Sequence, residues 1–147
     1  MTPQQRAEAA KDLMYAEDSA ARHLDIRVLS VAPGFARLQM PVRAEMTNGH
    51  GMCHGGYIFT LADTAFAYAC NSHNQRAVAA GAQIEFLVPA YRSDLLEAEA
   101  QEQHRAGRSG VYDVRVTREV NGKPELVALF RGKSATIKGH FFEESQT

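Results

Sequence analysis

The chain has 147 residues, the length of one ordinary domain and enough to bury a core without a disulfide or metal staple. Hydrophobic residues make up 45% and charged residues 22%, which excludes collagen-like and disordered chains. The 16 Lys and Arg residues nearly balance 17 Asp and Glu residues, so bulk electrostatics argue against a nucleic-acid partner. No apolar run of about 18 residues is present, and we expect no membrane partner.

Residues 1–22 are rich in helix-forming residues and predict a peripheral N-terminal helix. They lack the apolar stretch of a secretory signal, so we expect a cytoplasmic protein. The two cysteines, Cys53 and Cys70, form neither a disulfide framework nor a CxxC site, which fits a reducing compartment.

Two alternating runs follow, Asp25–Val31 and Phe35–Val42, on either side of the turn-forming pair Pro33 and Gly34. Alternation of apolar and polar residues is typical of half-buried strands. The pattern therefore predicts a β-hairpin.

The segment Gly55–Asn71 predicts one buried helix. Its apolar residues recur at steps of three and four, and further apolar residues fill most of the remaining circumference. Asp63 is the only charged residue between Gly55 and Cys70.

The second half predicts four strands, which are Val78–Val88, Leu95–Gln103, Val111–Val120 and Glu125–Ile137. The second of these is ambiguous because its residues favour a helix locally, but its alternation favours a strand. Asn121 and Gly122 are a strong two-residue hairpin signal. The order of elements predicts one α+β domain over residues 1–147, with a mostly antiparallel sheet wrapped around one long helix.

Asp63 stands out chemically because an unpaired carboxylate is costly to bury. It lies on a helix stripe that reaches solvent, or pairs with a buried arginine, or has the shifted pKa of a general base or nucleophile. The residue types alone leave these possibilities open.

His54, Gly55 and Gly56 begin the predicted helix, where backbone N–H groups lack internal partners and can bind an anion or oxyanion. A flexible turn into the helix is the simpler interpretation of these residues. Asn48 lies just before them and either contacts substrate or water or belongs to an Asn-Gly turn.

Gly55 and Asp63 are eight positions apart, roughly 12 Å along a helix that rises 1.5 Å per residue. A general base and an oxyanion donor must both lie about 3 Å from the reacting carbonyl. One helix cannot supply both to the same carbonyl. If both residues are catalytic, the site is built from two chains of a two-fold dimer.

Other kinds of site are poorly matched. His50, Cys53 and His54 cluster but lack the fourth ligand and paired spacing of a zinc site, so we expect no metal. No GxSxG nucleophile motif, phosphate-binding P-loop or dinucleotide fingerprint is present. Two short basic segments, residues 104–109 and 131–134, are either phosphate contacts or surface charge.

Residues 48–50, 53–56 and 61–72 together resemble the hotdog-fold acyl-CoA thioesterases, and within them the phenylacetate-degradation type. Residues 110–114 and 127–134 extend the resemblance. It implies the hotdog fold and hydrolysis of phenylacetyl-CoA or a ring-hydroxylated phenylacetyl-CoA to the free acid and coenzyme A. It implies no cofactor, since coenzyme A is part of the substrate, and a homo-oligomer assembled as a dimer of hotdog dimers.

The resemblance also implies residue roles. Asp63 would be the catalytic carboxylate, and the N–H of Gly55 would polarise the thioester carbonyl. Asn48 and His54 would position water or substrate. The substrate-binding and coenzyme A-binding candidates are Gly56, Thr64, Arg108, Arg131 and Lys133, the last three for the phosphates.

Two alternative functions stay open at this point. One is a hotdog hydratase or dehydratase of enoyl thioesters, with His54 and Asp63 as its acid–base pair. The other is a non-catalytic acyl-CoA-binding module. Three aromatic residues, Tyr57, Phe59 and Phe66, either line an aryl pocket or pack in the core.

Overall fold

A computed structural model describes residues 1–144 of the chain. In chain order the elements are α1 (Pro3–Glu17), α2 (Ser19–His23), β1 (Arg27–Ala32), β2 (Phe35–Pro41), α3 (Gly55–Cys70), β3 (Ala77–Phe86), β4 (Leu95–Ala106), β5 (Ser109–Val120) and β6 (Lys123–Thr136). The predicted domain range 1–147 extends to residues 145–147, which lie outside the described residues.

The N-terminal segment forms two helices, so the prediction of one helix over residues 1–22 is corrected. Helix α1 ends at Glu17, and Asp18 caps α2 by accepting a hydrogen bond from the Ala21 N–H at 3.1 Å. An aspartate side chain satisfies a free N–H at a helix start better than it continues a helix. Asp18 therefore ends one helix and begins the next.

The two predicted hairpins are present. Gly34 has a φ of 71° in the β1–β2 turn, and Asn121 and Gly122 have φ values of 52° and 78° in the β5–β6 turn. Two consecutive positive φ values match the type I′ geometry that Asn-Gly favours, because it follows the twist of paired strands.

The ambiguous segment after Leu95 is a strand, as its alternation predicted, and it extends to Ala106. Leu96, Ala98 and Ala100 are fully buried, while Glu99 is exposed on the opposite face. Burial of the apolar face against α3 thus overrides the local helix preference of Leu, Glu, Ala and Gln.

The six strands form one antiparallel sheet in the order β1-β2-β4-β5-β6-β3. Every strand contacts α3, so the sheet wraps around this helix as predicted. The core is the set of apolar side chains between them, including Leu61, Phe66, Leu96, Val114 and Phe130.

Helix α3 is buried on the side that meets the sheet but not all round. Thr60, Asp63, Thr64 and Ala67 remain partly exposed along another side. The expectation of a helix buried on every side is therefore not met in a single chain, because the one sheet covers only one side.

Strand β3 forms an edge of the sheet and pairs only with β6 within the described residues. Most of its side chains are exposed, including Val78 at 47% and Phe86 at 51%. An exposed edge strand is a template for pairing with another strand. β3 is thus the place in the fold best suited to join a second sheet.

Candidate active site

The loop before α3 holds Asn48 in a fixed conformation. Its Oδ1 accepts hydrogen bonds from the backbone N–H groups of His50 at 2.9 Å and Met52 at 3.2 Å. Isolated β-bridges join Thr47 to Cys53 and Met52 to Tyr91 across the same loop. The Nδ2 group makes no hydrogen bond within residues 1–144, so Asn48 can donate to a bound molecule.

His54 is the N-cap residue of α3, with extended φ and ψ of −59° and 137° and no side-chain capping bond. Its backbone N–H donates to the Met46 carbonyl at 2.8 Å, which ties the helix start to the short 3-10 helix Ala44–Met46. The exposed His54 side chain is therefore carried on a fixed backbone.

The N–H groups of Gly55 and Gly56 have no hydrogen-bond partner among the described residues. They open α3, where the helix dipole places partial positive charge. This arrangement can stabilise a carbonyl oxygen that gains negative charge.

A mostly apolar cleft of about 460 Å³ adjoins the start of α3. It is lined by Asn48, Met52, Cys53, Gly55, Ile58, Phe86, Leu87, Val88 and Pro89. The Phe86 ring packs against Gly55 so closely that a Cβ on Gly55 would lie 2.8 Å from the Phe86 Cζ atom. Only glycine fits here without displacing the ring.

The sequence reasoning missed the second wall of this cleft, residues 86–89. The available signal was a strand that ends in an apolar run at Pro89. The residues of that run do not themselves indicate a contact with Gly55. They come close to Gly55 only because β3 runs along the sheet back to the start of α3.

Asp63 is partly buried on α3 and has no ion pair or hydrogen bond within residues 1–144. Burial raises the pKa of its carboxyl group above the usual value. Pairing with a buried arginine, one of the possibilities that the sequence left open, is thus absent from the described part of the chain. A carboxylate in this state is a better base than a solvated one.

Two threonines flank Asp63 and bond back to their own helix. The Thr60 hydroxyl donates to the Gly56 carbonyl at 2.9 Å, and the Thr64 hydroxyl donates to the Thr60 carbonyl at 2.6 Å. The Thr64 oxygen keeps its acceptor capacity on the partly exposed side of α3.

The basic candidates differ in their partners. Arg131 donates two hydrogen bonds to the Asp113 carboxylate, from Nε at 2.6 Å and Nη2 at 2.8 Å. This pairing lowers the pKa of Asp113 and raises that of Arg131. Lys133 is exposed and has no ion pair among the described residues.

Arg108 lies in the β4–β5 turn, beside an open hollow of about 640 Å³ that Lys138 also lines. Its backbone carbonyl accepts a hydrogen bond from the Thr136 N–H at 2.9 Å. Arg131 instead lines a groove on the face of the sheet away from α3. The three basic candidates are therefore not gathered into one pocket in a single chain.

The aromatic candidates separate into two groups. Phe66 is 1% exposed and packs edge-on against Tyr112, with ring centroids 5.6 Å apart, so it belongs to the core. Phe59 is partly buried against Phe130 at 5.4 Å. Tyr57 is partly exposed near the start of α3. None of the three lines the cleft beside Gly55.

A polar cluster near the far end of α3 was not anticipated. The Tyr112 hydroxyl donates to Glu102 Oε1 at 2.7 Å, and His73 Nε2 lies 2.9 Å from the same oxygen. Burial works against ionisation of Glu102, but the hydrogen bonds from Tyr112 and His73 outweigh it and lower the pKa of Glu102. Burial, together with the hydrogen bond to Glu102 and its negative charge, raises the pKa of Tyr112.

The two thiols are both buried. Burial, with Asp94 nearby, raises the pKa of Cys53 to about 11, and burial raises the pKa of Cys70 to about 12.

Within residues 1–144 no group of three His, Cys, Asp or Glu side chains is placed to hold a metal ion, and no helix is long and apolar enough to cross a membrane.

Comparison with known families places this fold. The sequence model described as "Thioesterase superfamily" matches residues 50–125, about half of the chain. The chain belongs to the thioesterase superfamily. Over 126 residues it is 50% identical to the acyl-coenzyme A thioesterase PaaI of Escherichia coli, covering 86% of this chain and 88% of that protein.

Solved structures agree with the sequence comparison. E. coli PaaI, described as a protein of the phenylacetic acid degradation operon, superposes with a TM-score of 0.91 and 45% identity over 95% of this chain and 99% of its own. A mutant PaaI from Thermus thermophilus superposes with a TM-score of 0.75 and is 37% identical, covering 82% of this chain and 100% of its own. A Streptococcus mutans protein bound to acetyl-CoA superposes with a TM-score of 0.73 and is 25% identical, covering 78% of this chain and 90% of its own.

These likenesses confirm the predicted hotdog fold and the predicted enzyme class, a thioester hydrolase. They also confirm the resemblance to acyl-CoA thioesterases of the PaaI type. The roles of individual residues, the oligomer and the absence of a cofactor remain predictions.

Proposed function

We propose that this chain hydrolyses phenylacetyl-CoA, or a ring-hydroxylated phenylacetyl-CoA, to the free acid and coenzyme A. The observation that carries the proposal is Asp63, a partly buried carboxylate without a partner in the described residues, in the fold of a thioesterase. The similarity to E. coli PaaI, a protein of a phenylacetic acid degradation operon, supports the choice of acyl group.

The chemistry assigned to the site follows from charge. Gly55, at the start of α3, donates its free N–H to the thioester oxygen and stabilises the negative charge that develops there, an effect worth about 10²–10³ in rate in other acyl transfers. Asn48 and His54 position water or substrate beside it. Gly56 leaves room for the acyl chain, and the Thr64 oxygen accepts a hydrogen bond from the substrate.

Asp63 can act by two routes that use the same atoms. As a general base it takes a proton from water, the water oxygen bonds to the acyl carbon, and the thiolate of coenzyme A leaves. As a nucleophile its oxygen bonds to the acyl carbon, the thiolate leaves, and water then cleaves the anhydride. A single turnover in ¹⁸O-labelled water identifies the second route when water cleaves the anhydride at the Asp63 carbonyl, because this attack leaves label on the protein, whereas the general-base route labels only the acid.

The site is proposed to need two chains. Gly55 and Asp63 are roughly 12 Å apart along α3, so the carboxylate that serves one Gly55 must come from a second copy. The exposed edge of β3 and the partly exposed side of α3 support a two-fold dimer of this kind. The proposal includes pairing of such dimers into a tetramer.

Basic residues are proposed to bind the phosphates of coenzyme A. Arg108 and Lys133 are exposed and have no acidic partner within residues 1–144. Arg131 shares its guanidinium with Asp113 and is the weaker candidate. The S. mutans relative that was solved with bound acetyl-CoA supports a carrier of this class. No cofactor or metal is required, and the proposed location is the cytoplasm, where coenzyme A is available.

A thiol-release assay over aryl, short-chain and long-chain acyl-CoAs tests the proposal. Wild-type protein should release thiol most rapidly from aryl-acetyl-CoAs, and Asp63→Asn should reduce turnover about 10²–10⁴-fold. Glu119→Gln, an exposed acid on β5, is the matched control and should keep full activity. The proposal fails if Asp63→Asn folds and turns over like the wild type.

Two further measurements, made beside the thiol-release assay, distinguish the alternative functions. A hydratase or dehydratase changes the absorbance of an enoyl-CoA without releasing thiol. A binding module shows saturable acyl-CoA binding and no reaction of either kind.

A further inference from the structure

Phe86 is a large apolar side chain that remains 51% exposed beside the start of α3. It ends an edge strand whose middle carries small residues, from Ala79 to Ala82. Phe86 is continuous with Leu87, which is 49% exposed, and both line the mostly apolar cleft beside Gly55. A concave and mostly apolar lining is typical of ligand-binding sites.

The sheet holds the backbone at Phe86, so the ring is attached at a defined place. Phe86 is in register with Ala128 of β6, and the Leu87 N–H donates to the Val127 carbonyl at 2.8 Å. Groups on paired strands are held more precisely than groups on loops. From this place the ring reaches the start of α3 and packs against Gly55.

The cleft is lined by both Gly55 and Phe86, so it relates the ring to the position of the acyl group. A thioester that accepts a hydrogen bond from the Gly55 N–H has its carbonyl oxygen about 3 Å from that nitrogen, at the helix start. Phe86 and the residues that follow it, through Pro89, line the apolar cleft that adjoins this point. An acyl chain directed into the cleft therefore passes along the Phe86 ring.

We propose that Phe86 selects the acyl group, with its ring forming the wall against which an aryl-acetyl group packs. Aromatic rings favour offset or edge-to-face contacts, worth a roughly two- to tenfold preference for a ring over an alkyl group of similar size. The wall depends on glycine at position 55, because a Cβ there would displace the Phe86 ring. The inference rests on the proposed function, since it assigns the acyl subsite of the same active site.

The experiment compares kcat/KM for phenylacetyl-CoA with kcat/KM for hexanoyl-CoA in wild type, Phe86→Leu and Leu13→Ala. Phe86→Leu keeps an apolar side chain but removes the ring, and it should lower the aryl-to-alkyl ratio roughly two- to tenfold. Leu13→Ala truncates a similarly exposed apolar residue on α1, outside the lining of the cleft, and should leave the ratio unchanged. An unchanged ratio in Phe86→Leu overturns the assignment.

Binding is measured in parallel with two non-hydrolysable thioethers, S-phenylethyl-CoA and S-hexyl-CoA. Phe86→Leu should weaken the first by a roughly two- to tenfold larger factor than the second. This readout separates the two claims. Absence of thiol release from the wild type contradicts the proposed function, whereas equal weakening of both thioethers contradicts the role of Phe86.

Discussion

Gly55 and Asp63 lie on the same helix, roughly 12 Å apart along its axis, yet the proposed chemistry needs both at one carbonyl. A straight helix cannot close this gap. Each chain carries both groups, but they belong to two different sites. The proposed activity therefore requires two chains, each of which supplies half of each site.

The carboxyl group of Asp63 should cost stability at neutral pH. Burial raises its pKa in the folded chain, so the folded state disfavours the ionised form, and its stability falls as pH rises through the folded pKa. Asp63→Asn should increase the free energy of unfolding by about 0.5–2 kcal/mol at pH 7. Urea unfolding at pH 7 and at acid pH checks this, since the gain should vanish once Asp63 is protonated. A loss of stability at pH 7 contradicts it.

The Glu102 cluster should have the opposite dependence on pH. The pKa of Glu102 is lowered in the folded chain, so its contribution is present above the unfolded pKa of about 4.3 and is lost as pH falls through the folded pKa. Glu102→Gln weakens the bonds from Tyr112 and His73 and should cost about 1–3 kcal/mol at pH 7.

Glu99→Gln is the matched control for this cluster. Glu99 lies on the same strand, is exposed and makes no ion pair within the described residues, so its change should stay within about 0.5 kcal/mol. Equal costs for the two variants at pH 7 would show that the contacts of Glu102 contribute nothing specific.

The thiols of Cys53 and Cys70 should be unreactive in the folded protein. Their raised pKa values, about 11 and about 12, leave almost no thiolate at pH 7. Ellman's reagent should therefore react slowly with native protein and rapidly with both thiols in guanidinium chloride. Rapid reaction of a native thiol would reopen the question of a cysteine nucleophile.

The phosphate contacts should affect substrate binding alone. Arg108→Gln and Lys133→Gln should each raise KM for an acyl-CoA roughly three- to tenfold with little change in kcat. Arg131→Gln should have a smaller effect, because its guanidinium is already paired with Asp113. Lys123→Gln, at the exposed β5–β6 turn, is the control.

An acyl-pantetheine substrate sharpens that measurement because it lacks the nucleotide phosphates. All four variants should match the wild type with this substrate. A rise in KM that persists with acyl-pantetheine would mean that the residue acts on something other than phosphate.

Local patterns in the sequence were enough to predict most of the fold. Three- and four-residue spacing predicted α3, and the pair Asn121 and Gly122 predicted the β5–β6 hairpin. The break at Asp18 was missed because its side chain both ends one helix and caps the next. The composition of residues 1–22 favours a helix throughout and does not indicate at which residue the helix breaks.

The site was predictable only in part. Asn48, the helix start and Asp63 are close in sequence, so their types and spacing already suggested a site. The pairing of Arg131 with Asp113 and the contact of Phe86 with Gly55 depend on strand register. Register joins distant segments through the sheet, and no short motif specifies it.

Subunit complementation tests the central claim most directly. Asp63→Asn removes the carboxylate. Gly55→Pro removes the N–H at the first position of α3, where the backbone before it is extended, and its ring also displaces the neighbouring Phe86, so both of its effects fall on the same half of the site. Each variant alone should be inactive. Mixed dimers, formed by unfolding and refolding equal amounts together, should contain one site with both groups intact, giving about a quarter of wild-type thiol release after statistical mixing. Mixed dimers without activity would contradict a site shared between two chains.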